Sequence, residues 1–355
     1  MATTQPAAGS ESGPAPGSDR LRQISLTQRV LAKPAAGALI ITVFVWIVFA
    51  ILSLSAGSAV FLSVDGTFSY LDVAAQVGIV ATAVALLMIG GEFDLSIGSL
   101  VGFAGIVIGI GVTELGLPIW LSIILAVVLT TGLGAINGII VVRTGLPSFI
   151  VTLATLFIIR GLTVVMTALI TNITFIPIDR AAVATDPIAG FFNWSAGPVK
   201  VSIFWWVFIA LIGAYILGRT RFGNWIAGVG GSPTAARNLG VPVARVKISL
   251  FALTAFSAAI LATVQSMTFF SSDVLRGRGL ELDAITTAVI GGSLLTGGYG
   301  SVIGAAIGAL ALGMARIGIV FANINSDWYF IAIGTLLLVA VVLNNWIRRR
   351  FAGLR

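Results

Sequence analysis

Polar side chains interrupt several long apolar runs of this chain, and they are the residues whose types could do chemistry there. The set comprises Gln76, Thr82, Asn137, Thr152, Thr155, Gln265, Thr286 and Thr287. Amide and hydroxyl groups inside a helix bundle can hydrogen-bond to a polar solute that passes between the helices. Small polar residues also hold neighbouring membrane helices together, which is the commoner role for any one of them. Both interpretations stay open from the sequence.

Arg160 is more unusual, because a charged side chain in the middle of an apolar run is costly and normally serves a cavity or an ion pair. The alternative is that its guanidinium extends to the membrane surface and anchors the helix. With Arg160 included, the candidate path for a polar solute consists of Gln76, Asn137, Thr152, Thr155, Arg160, Gln265 and Thr286.

The usual parts of an enzyme active site are missing. The chain has no cysteine and no histidine, which excludes disulfides, thiolate nucleophiles, the usual zinc sites and the commonest general base. The lysines are Lys33, Lys200 and Lys247, and none follows a glycine, whereas a phosphate-binding P-loop requires Gly-Lys. We therefore expect no catalytic residue, no metal and no cofactor on this chain. Energy for transport must come from another subunit or from an ion gradient.

The elements that position these residues follow from composition. Of 355 residues, 58% are hydrophobic and only 9% are charged, with a mean hydropathy of +1.08. A chain this poor in charge fits a lipid bilayer rather than water. At about 20 apolar residues per crossing, the sequence predicts an all-α polytopic bundle of about ten membrane helices. The predicted spans are 38–60, 71–90, 95–113, 118–142, 148–171, 200–218, 248–270, 281–296, 300–320 and 328–347. The span 281–296 is short and rich in glycine at its end, so a broken or re-entrant helix stays open.

The basic residues orient the bundle. The net charge of +7 comes from short loops between apolar runs, which is typical of membrane topology and not of nucleic-acid binding. Ten spans place both termini in the cytoplasm, and the inner side then holds Arg20, Arg22, Arg29, Lys33, Arg143, Arg219, Arg221, Arg237, Arg245, Lys247, Arg348, Arg349, Arg350 and Arg355. The outer side holds Arg180, Lys200, Arg276 and Arg278, with most acidic residues, including Glu281 and Asp283. Residues 1–34 are predicted to be a disordered cytoplasmic tail before a transmembrane domain over 35–350.

The longest inner connection, residues 219–247, contains a short segment with helix-capping signals. Ser232 can cap its amino end, Pro233 suits the first helical position, and Gly240 suits the left-handed residue after the end. A simple connection between two spans needs fewer residues than this. The segment either docks a cytoplasmic partner or lies on the inner lipid headgroups, held there by its arginines.

Four motifs follow one another along the chain. They are Gly90-Gly91-Glu92-Phe93-Asp94-Leu95-Ser96-Ile97-Gly98-Ser99; Asn137-Gly138 with residues 147–153 and Arg160-Gly161; residues 222–227 with residues 230–241; and residues 281–285 with 291–293 and 297–301. Together they resemble the permease subunits of ribose-type ABC sugar importers. The resemblance covers nearly the whole chain, from about residue 38 to residue 346.

The resemblance implies a role for the capped segment. In ABC importers a cytoplasmic coupling helix docks in a groove of the ATPase subunit, and the match places it at Ser232, Pro233, Thr234, Ala235, Ala236, Arg237, Asn238, Leu239 and Gly240. Thr234 stands where the broader importer pattern has glutamate, so one ionic contact of that pattern is not expected. The resemblance further implies a multi-pass subunit of the bacterial inner membrane. Its implied partners are ABC ATPase subunits that bind the ATP, an external sugar-binding protein and a second permease subunit, expected to be a second copy.

Glu92, Asp94, Ser96 and Gly98 form a motif at the inner end of the second span. Asp94 followed by Ser96 is expected to cap the third helix, with the carboxylate favoured by the helix dipole. The functional alternative is a contact with the ATPase or with an inner gate. A Gly-Ser pattern recurs at residues 298–304, either as a decayed internal repeat or by chance.

The leading hypothesis is a permease for a small polar solute, a monosaccharide, driven by ATP hydrolysis on a partner. The alternative is an ion-coupled secondary transporter, which needs ionisable or ion-coordinating groups near the middle of the bilayer. No Asp or Glu falls clearly in the middle of a predicted span, which disfavours proton coupling but leaves sodium coupling open. A third hypothesis, an intramembrane enzyme, lacks an assembled nucleophile and base. The sequence does not identify the sugar.

Overall fold

The computed structural model describes the backbone of residues 35–351 and the side chains of residues 35–346. The described helices are α1 (Ala35–Ser55), α2 (Val64–Ile89), α3 (Ile97–Thr113), α4 (Ile119–Thr144), α5 (Ser148–Thr171), α6 (Arg180–Thr185), α7 (Pro187–Phe192), α8 (Val201–Arg219), α9 (Arg221–Gly231), α10 (Pro233–Asn238), α11 (Val243–Phe269), α12 (Leu280–Ile290), α13 (Val302–Phe321) and α14 (Trp328–Phe351). The short strands are β1 (Phe175–Pro177), β2 (Ser195–Ala196), β3 (Val199–Lys200) and β4 (Ser271–Asp273). The predicted tail 1–34 and the basic side chains beyond residue 346 lie outside this description.

Eight of the described helices are long and apolar enough to cross a membrane, namely α1, α2, α4, α5, α8, α11, α13 and α14. Each coincides with a predicted span, so the all-α polytopic bundle is confirmed. Helices α2, α11 and α13 form the centre, because most of their side chains are buried, whereas α5, α8 and α14 expose apolar side chains over most of their surface. Exposed Phe, Leu and Ile side chains suit a lipid environment, which is as apolar as they are.

The other two predicted spans are shorter helices. Helix α3 has 17 residues and α12 has 11. At about 1.5 Å per residue they cover roughly 25 Å and 16 Å of a hydrocarbon core about 30 Å thick. A continuous helix over 281–296 is therefore wrong. Helix α12 ends at Ile290, and Gly292 then turns the chain with a φ of +88°.

Non-helical chain precedes each of these short helices. Residues 92–96 lead into α3, and residues 270–279 lead into α12. The second segment begins with β4 and continues in turns. Strand β4 pairs antiparallel with β1 of residues 172–199, here called the outer loop after its predicted side. The chain between α11 and α13 therefore combines a non-helical segment with a short helix.

The segment before α12 folds back along α3 and contacts its backbone. A Cβ added to Gly98 would collide with the carbonyl oxygen of Gly277, and one added to Gly102 would lie 3.0 Å from that of Arg276. Glycine allows two backbones to approach this closely because it has no side chain. The glycines of α3 therefore hold the returning segment inside the bundle.

The same turn ends α2 and α12. In each case the second glycine of a Gly-Gly pair, Gly91 or Gly292, donates its N–H to the carbonyl three residues before it. The next residue donates to the carbonyl five residues before it, which is a common glycine-dependent helix ending. The recurrence noted in the sequence therefore extends to the backbone at these two turns.

The outer loop contains two short helices, α6 and α7, and a hairpin of β2 with β3. An aromatic cluster joins it to α8: the ring of Phe192 stacks on that of Trp205, with centroids 5.1 Å apart. The cluster lines a cavity of about 680 Å³. Amphipathic aromatic side chains are typical of the membrane–water boundary.

Candidate functional site

The coupling segment, defined as residues 232–240, has the predicted capped-helix structure. Ser232 Oγ accepts a hydrogen bond from the N–H of Ala235 at 3.3 Å. Pro233 occupies the first helical position of α10, and Gly240 follows its end with a φ of +82°. These are the roles that the residue types favour.

The coupling segment projects from the bundle. Ala236 is its only buried residue, and the other eight are exposed, Leu239 to 85%. Ala236 packs into an apolar cluster that includes Val229 of α9 and Val246 of α11. One small side chain thus attaches the segment, while its outer side stays open.

Both flanks of the coupling segment contact the end of α2. We call residues 89–92 the inner corner. Gly230 of α9 packs against the carbonyl of Ile89, and the Lys247 ammonium of α11 forms an ion pair with the Glu92 carboxylate. The predicted inner-end residue Glu92 therefore contacts the inner connection, residues 219–247, that contains the coupling segment.

Asp94 is completely buried, and its carboxylate accepts three hydrogen bonds. Oδ1 accepts from the backbone N–H of Ser96 at 2.9 Å and from Ser96 Oγ at 2.5 Å, and Oδ2 accepts from Thr254 Oγ1 at 2.8 Å. The predicted cap of α3 is wrong, because the Ser96 side chain makes no capping bond and Asp94 bonds to Ser96 and α11. Buried polar groups need partners, and here they find them across helices.

Asn137 extends this network to α5. Its Nδ2 donates to Ser96 Oγ at 3.0 Å, and its Oδ1 accepts from Thr155 Oγ1 at 2.8 Å. The interior network, defined as Asp94, Ser96, Asn137, Thr155 and Thr254, thus joins the segment before α3 to helices α4, α5 and α11.

Side chains of α5 also bind the backbone of the extended segment. The N–H of Phe93 donates to Ser148 Oγ at 3.0 Å, and that of Leu95 donates to Thr152 Oγ1 at 3.1 Å. An extended segment inside a bundle has no helical partners for its N–H groups, so side chains must supply them. Thr152 therefore has a backbone-binding role.

The other polar side chains named from the sequence lie apart from this network. Gln265 Nε2 donates to Gln76 Oε1 at 2.9 Å, which makes a separate pair between α11 and α2. Thr82 donates to the carbonyl of Gly78 in its own helix. Within the described residues no hydrogen bond joins Thr286 or Thr287, both buried on α12, to the interior network.

Arg160 forms an ion pair with Glu281, with 3.9 Å between Nη2 and Oε1. Arg160 Nη2 and Glu281 Oε2 are buried and have no hydrogen-bond partner among the described residues. Of the two alternatives for Arg160, the ion pair is therefore the observed one. The position of Glu281 also explains why residue 98 is a glycine, because a Cβ on Gly98 would overlap Glu281 Oε2.

Glu281 and Asp283, expected among the outward-facing acids, are enclosed by neighbouring helices. Glu281 is buried beside α3, and Asp283 lies 3.6 Å from Arg316 and accepts a hydrogen bond from the Tyr329 hydroxyl at 3.2 Å. The buried carboxylates among the described residues are thus those of Glu92, Asp94 and Glu281, and Asp283 is partly buried. The physical reason is that residues 270–279 return into the bundle before α12 begins, which a count of apolar runs does not reveal.

Sequence reasoning missed Thr254, Ser148 and Glu281 as partners within the site. A signal existed for two of them. A buried carboxylate such as Asp94 needs hydroxyl donors, and a charge such as Arg160 inside a bundle needs a counter-ion. The sequence does not show which of several hydroxyls or acids supplies them.

Comparison with known families matches residues 66–342 to the family described as "Branched-chain amino acid transport system / permease component". The chain is 31% identical over 270 residues to the inner membrane ABC transporter permease protein YjfF of Escherichia coli, covering 76% of this chain and 80% of the relative. It is 30% identical over 291 residues to the ribose import permease protein RbsC of Escherichia coli, covering 80% and 87%. It is 32% identical over 322 residues to the fructose import permease protein FrcC of Rhizobium meliloti, covering 90% and 87%. No solved structure matches the chain.

The family match spans the inner corner, the coupling segment, the interior network and the two shorter helices α3 and α12. Relatives that are ABC permeases confirm the resemblance inferred from the four motifs. The chain is therefore a multi-pass membrane transport permease, and it belongs to the family of the branched-chain amino acid transport system permease component.

Proposed function

We propose that this chain is the membrane-spanning permease subunit of an ATP-binding cassette importer that carries a monosaccharide across the bacterial inner membrane. ATP is bound and hydrolysed by a separate ATPase subunit. The observation that carries the proposal is the exposed, capped coupling segment on an otherwise apolar bundle.

The chemistry of the coupling segment favours a protein partner over lipid. A helix that lies in the headgroups needs an apolar face directed at the acyl chains. Here Ala236 faces the bundle, and the exposed residues are small or polar apart from Leu239. The exposed Arg237 beside Leu239 suits a protein groove with an acidic rim and an apolar floor, since arginine is enriched among the residues that dominate binding at protein interfaces.

The names of the relatives favour a sugar as the solute. RbsC is named as a ribose importer subunit and FrcC as a fructose importer subunit, whereas the family description names branched-chain amino acids. Two of the relatives reported above are thus named for hydroxyl-rich solutes. We propose a monosaccharide on this basis and treat an amino acid as the outcome that opposes it.

The predicted path residues remain a proposal, refined by their bonding. Asn137, Thr152 and Thr155 already bind neighbouring groups, so they act mainly by holding the bundle together. Unused hydrogen-bonding capacity remains at Gln265 Oε1 and Arg160 Nη2. We propose these two side chains as the first contacts of a sugar inside the bundle.

We further propose two other partners. An external sugar-binding protein would dock on the outer loop, residues 172–199, which carries two short helices. A second copy of this chain would pack against one of the exposed apolar helices, because a single subunit leaves α5, α8 and α14 largely uncovered.

An ion-coupled transporter is the second candidate. The buried carboxylates give it support that the sequence alone did not provide. Proton coupling needs such groups inside the membrane. However, Asp94 accepts three hydrogen bonds and Glu281 faces Arg160, so both carboxylates already serve contacts between elements of the bundle. The ATP-driven function is therefore preferred.

The test uses the natural absence of cysteine. A single Arg237→Cys substitution on the coupling segment gives one thiol for a bifunctional cross-linker in membranes of the native host. We expect a cross-link to an ATPase subunit, and uptake of radiolabelled D-ribose or D-fructose by the assembled complex that requires ATP.

The matched control is Lys200→Cys, an exposed residue at the opposite end of α8, which should not cross-link to the ATPase. Uptake driven by an ion gradient without ATP would overturn the proposal in favour of the second candidate. Uptake of radiolabelled leucine in place of either sugar would overturn the solute assignment alone.

A further inference from the structure

We infer that the inner corner is where motion of the coupling segment enters the bundle, and that Gly230, Glu92 and Lys247 are the positioning residues that transmit it. The inference deepens the proposed function, because it requires that an ATPase docks on the coupling segment. It rests on contacts at both flanks of that segment and on the continuity of the corner with the interior network.

The first contact is made by backbone against backbone. A Cβ on Gly230 would overlap the carbonyl oxygen of Ile89 and would lie 2.6 Å from the backbone nitrogen of Gly298. The N–H of Gly298 in turn donates to the same Ile89 carbonyl at 2.8 Å. Helix α9, the end of α2 and the segment before α13 therefore meet at one carbonyl group.

Further glycines surround this point. A Cβ on Gly297 would lie 2.7 Å from Gly91 Cα, and one on Gly298 would lie 2.8 Å from Gly231 Cα. Gly91, Gly297 and Gly298 have φ values between +74° and +83°, which glycine adopts without strain. No flexible side chain separates these backbones, so displacement of α9 moves its neighbours directly.

The second contact is the ion pair of Glu92 with Lys247. The Glu92 side chain is 8% exposed and that of Lys247 is 19% exposed. Removing one partner of a buried pair leaves the other charge uncompensated, so the pair is costly to separate. Lys247 lies in the second turn of α11, just after the coupling segment, so this contact fixes the opposite flank.

The corner continues directly into the interior network. Residues 93–96 follow Glu92, and they carry Asp94 and Ser96, which bind Thr254 and Asn137. Packed interiors transmit displacement because they contain few voids. A shift of the coupling segment therefore reaches the start of α3 through a contiguous set of packed and hydrogen-bonded contacts, the kind of network that can carry coupling between two sites.

Two adjacent glycines give a matched pair of variants. Gly230→Ala places a methyl group into the Ile89 carbonyl, whereas Gly231→Ala places one in open space, with nothing within 4 Å. Each variant is purified with its ATPase and reconstituted in proteoliposomes. ATP hydrolysis and uptake of radiolabelled D-ribose and D-fructose are then measured on the same preparation.

We expect Gly230→Ala to lower sugar uptake per ATP hydrolysed by about tenfold, a size within reach of single substitutions along a coupled network. Gly231→Ala should leave the ratio unchanged. Equal ratios in the two variants would overturn the inference. Absence of any ATPase from the unsubstituted complex would instead overturn the proposed function.

The ion pair provides a second variant set in case Gly230→Ala does not assemble. Glu92→Gln should reduce the same ratio, and the exchange of Glu92→Lys with Lys247→Glu should restore most of it. A readout that needs no sugar is the labelling of Gln265→Cys by a maleimide with and without ATP. We expect ATP to change the labelling rate of the Gln265→Cys protein, but not that of the protein that carries both Gln265→Cys and Glu92→Gln. An equal change in both proteins would contradict the inference.

Discussion

Thr254 Oγ1 donates a hydrogen bond to Asp94 Oδ2 at 2.8 Å, joining two positions that are 160 residues apart in the chain. Both residues are fully buried. The bond connects α11 to the extended segment before α3, so it links the two halves of the sequence at the centre of the bundle. A carboxylate in such a place depends on every donor it has, because its burial cost stays when a donor is removed.

Thr254→Val should therefore destabilise the protein by about 1–3 kcal/mol, since it preserves shape while it removes one donor from a buried charge. The measurement is the Tm of the purified protein in detergent. Thr263→Val is the matched control on the same helix, because Thr263 is also fully buried but donates only to the Ala259 carbonyl of its own helix. Equal losses of Tm in the two variants would show that the Asp94 bond adds no stability.

Loss of the Arg160 guanidinium should leave the buried Glu281 carboxylate without its ion-pair partner. We expect Arg160→Met to lower stability by up to about 3 kcal/mol, as for other enclosed ion pairs that lose one partner. The double variant with Glu281→Gln should recover much of that loss, because no unpaired charge remains. Chemical unfolding in detergent provides the measurement.

The control for this prediction is Arg316→Met. Arg316 of α13 pairs with Asp283, which lies on α12 as Glu281 does, but the Arg316 side chain is 51% exposed, so solvent screens the loss. Its effect should be clearly smaller than that of Arg160→Met. A double variant no more stable than Arg160→Met alone would refute the role given to the Glu281 charge.

Leu239→Ser should weaken ATPase binding without changing the stability of the permease. Leu239 is 85% exposed in the free chain, and burying a leucine side chain is worth about 1.5–3 kcal/mol. The dissociation constant of the permease–ATPase complex should rise by about tenfold or more. Leu115→Ser is the control, because Leu115 is 63% exposed on the connection between α3 and α4, and it should leave the constant unchanged.

Substitution by alanine should affect the Tm differently at Gly98 and at Gly132. Gly98→Ala places a methyl group onto Glu281 Oε2, whereas Gly132 on α4 has nothing within 4 Å. We expect Gly98→Ala to lower the Tm, and Gly132→Ala to leave it unchanged or raise it, since alanine favours a helix over glycine by about 1 kcal/mol. A neutral Gly98→Ala would mean that the returning segment before α12 shifts freely.

Local features were predictable from the sequence where one short stretch determines them. The coupling segment carries its own cap, proline and terminal glycine, so Ser232 and Gly240 marked its ends. Eight membrane helices were visible because each is a continuous apolar run.

The partners of buried charges were not predictable, because they depend on distant parts of the chain. Glu281 was assigned to the outer surface because residues 270–279 look like an ordinary loop. The close approaches of Gly98 to Gly277 and of Gly102 to Arg276 show that this segment returns along α3. Asp94 was assigned to a helix cap for a similar reason, since its true partner Thr254 lies on a helix that was not known to be adjacent.

The backbone of the extended segment before α3 has a consequence for biosynthesis. The N–H groups of Phe93 and Leu95 bond to side chains that are 55 and 57 residues further along the chain. During translation these two groups have no acceptor until α5 emerges from the ribosome, and each such group costs several kcal/mol in hydrocarbon. Residues 92–96 must therefore wait in the hydrated interior of the insertion machinery. Nascent chains that stop before Ser148 should be retained there or degraded.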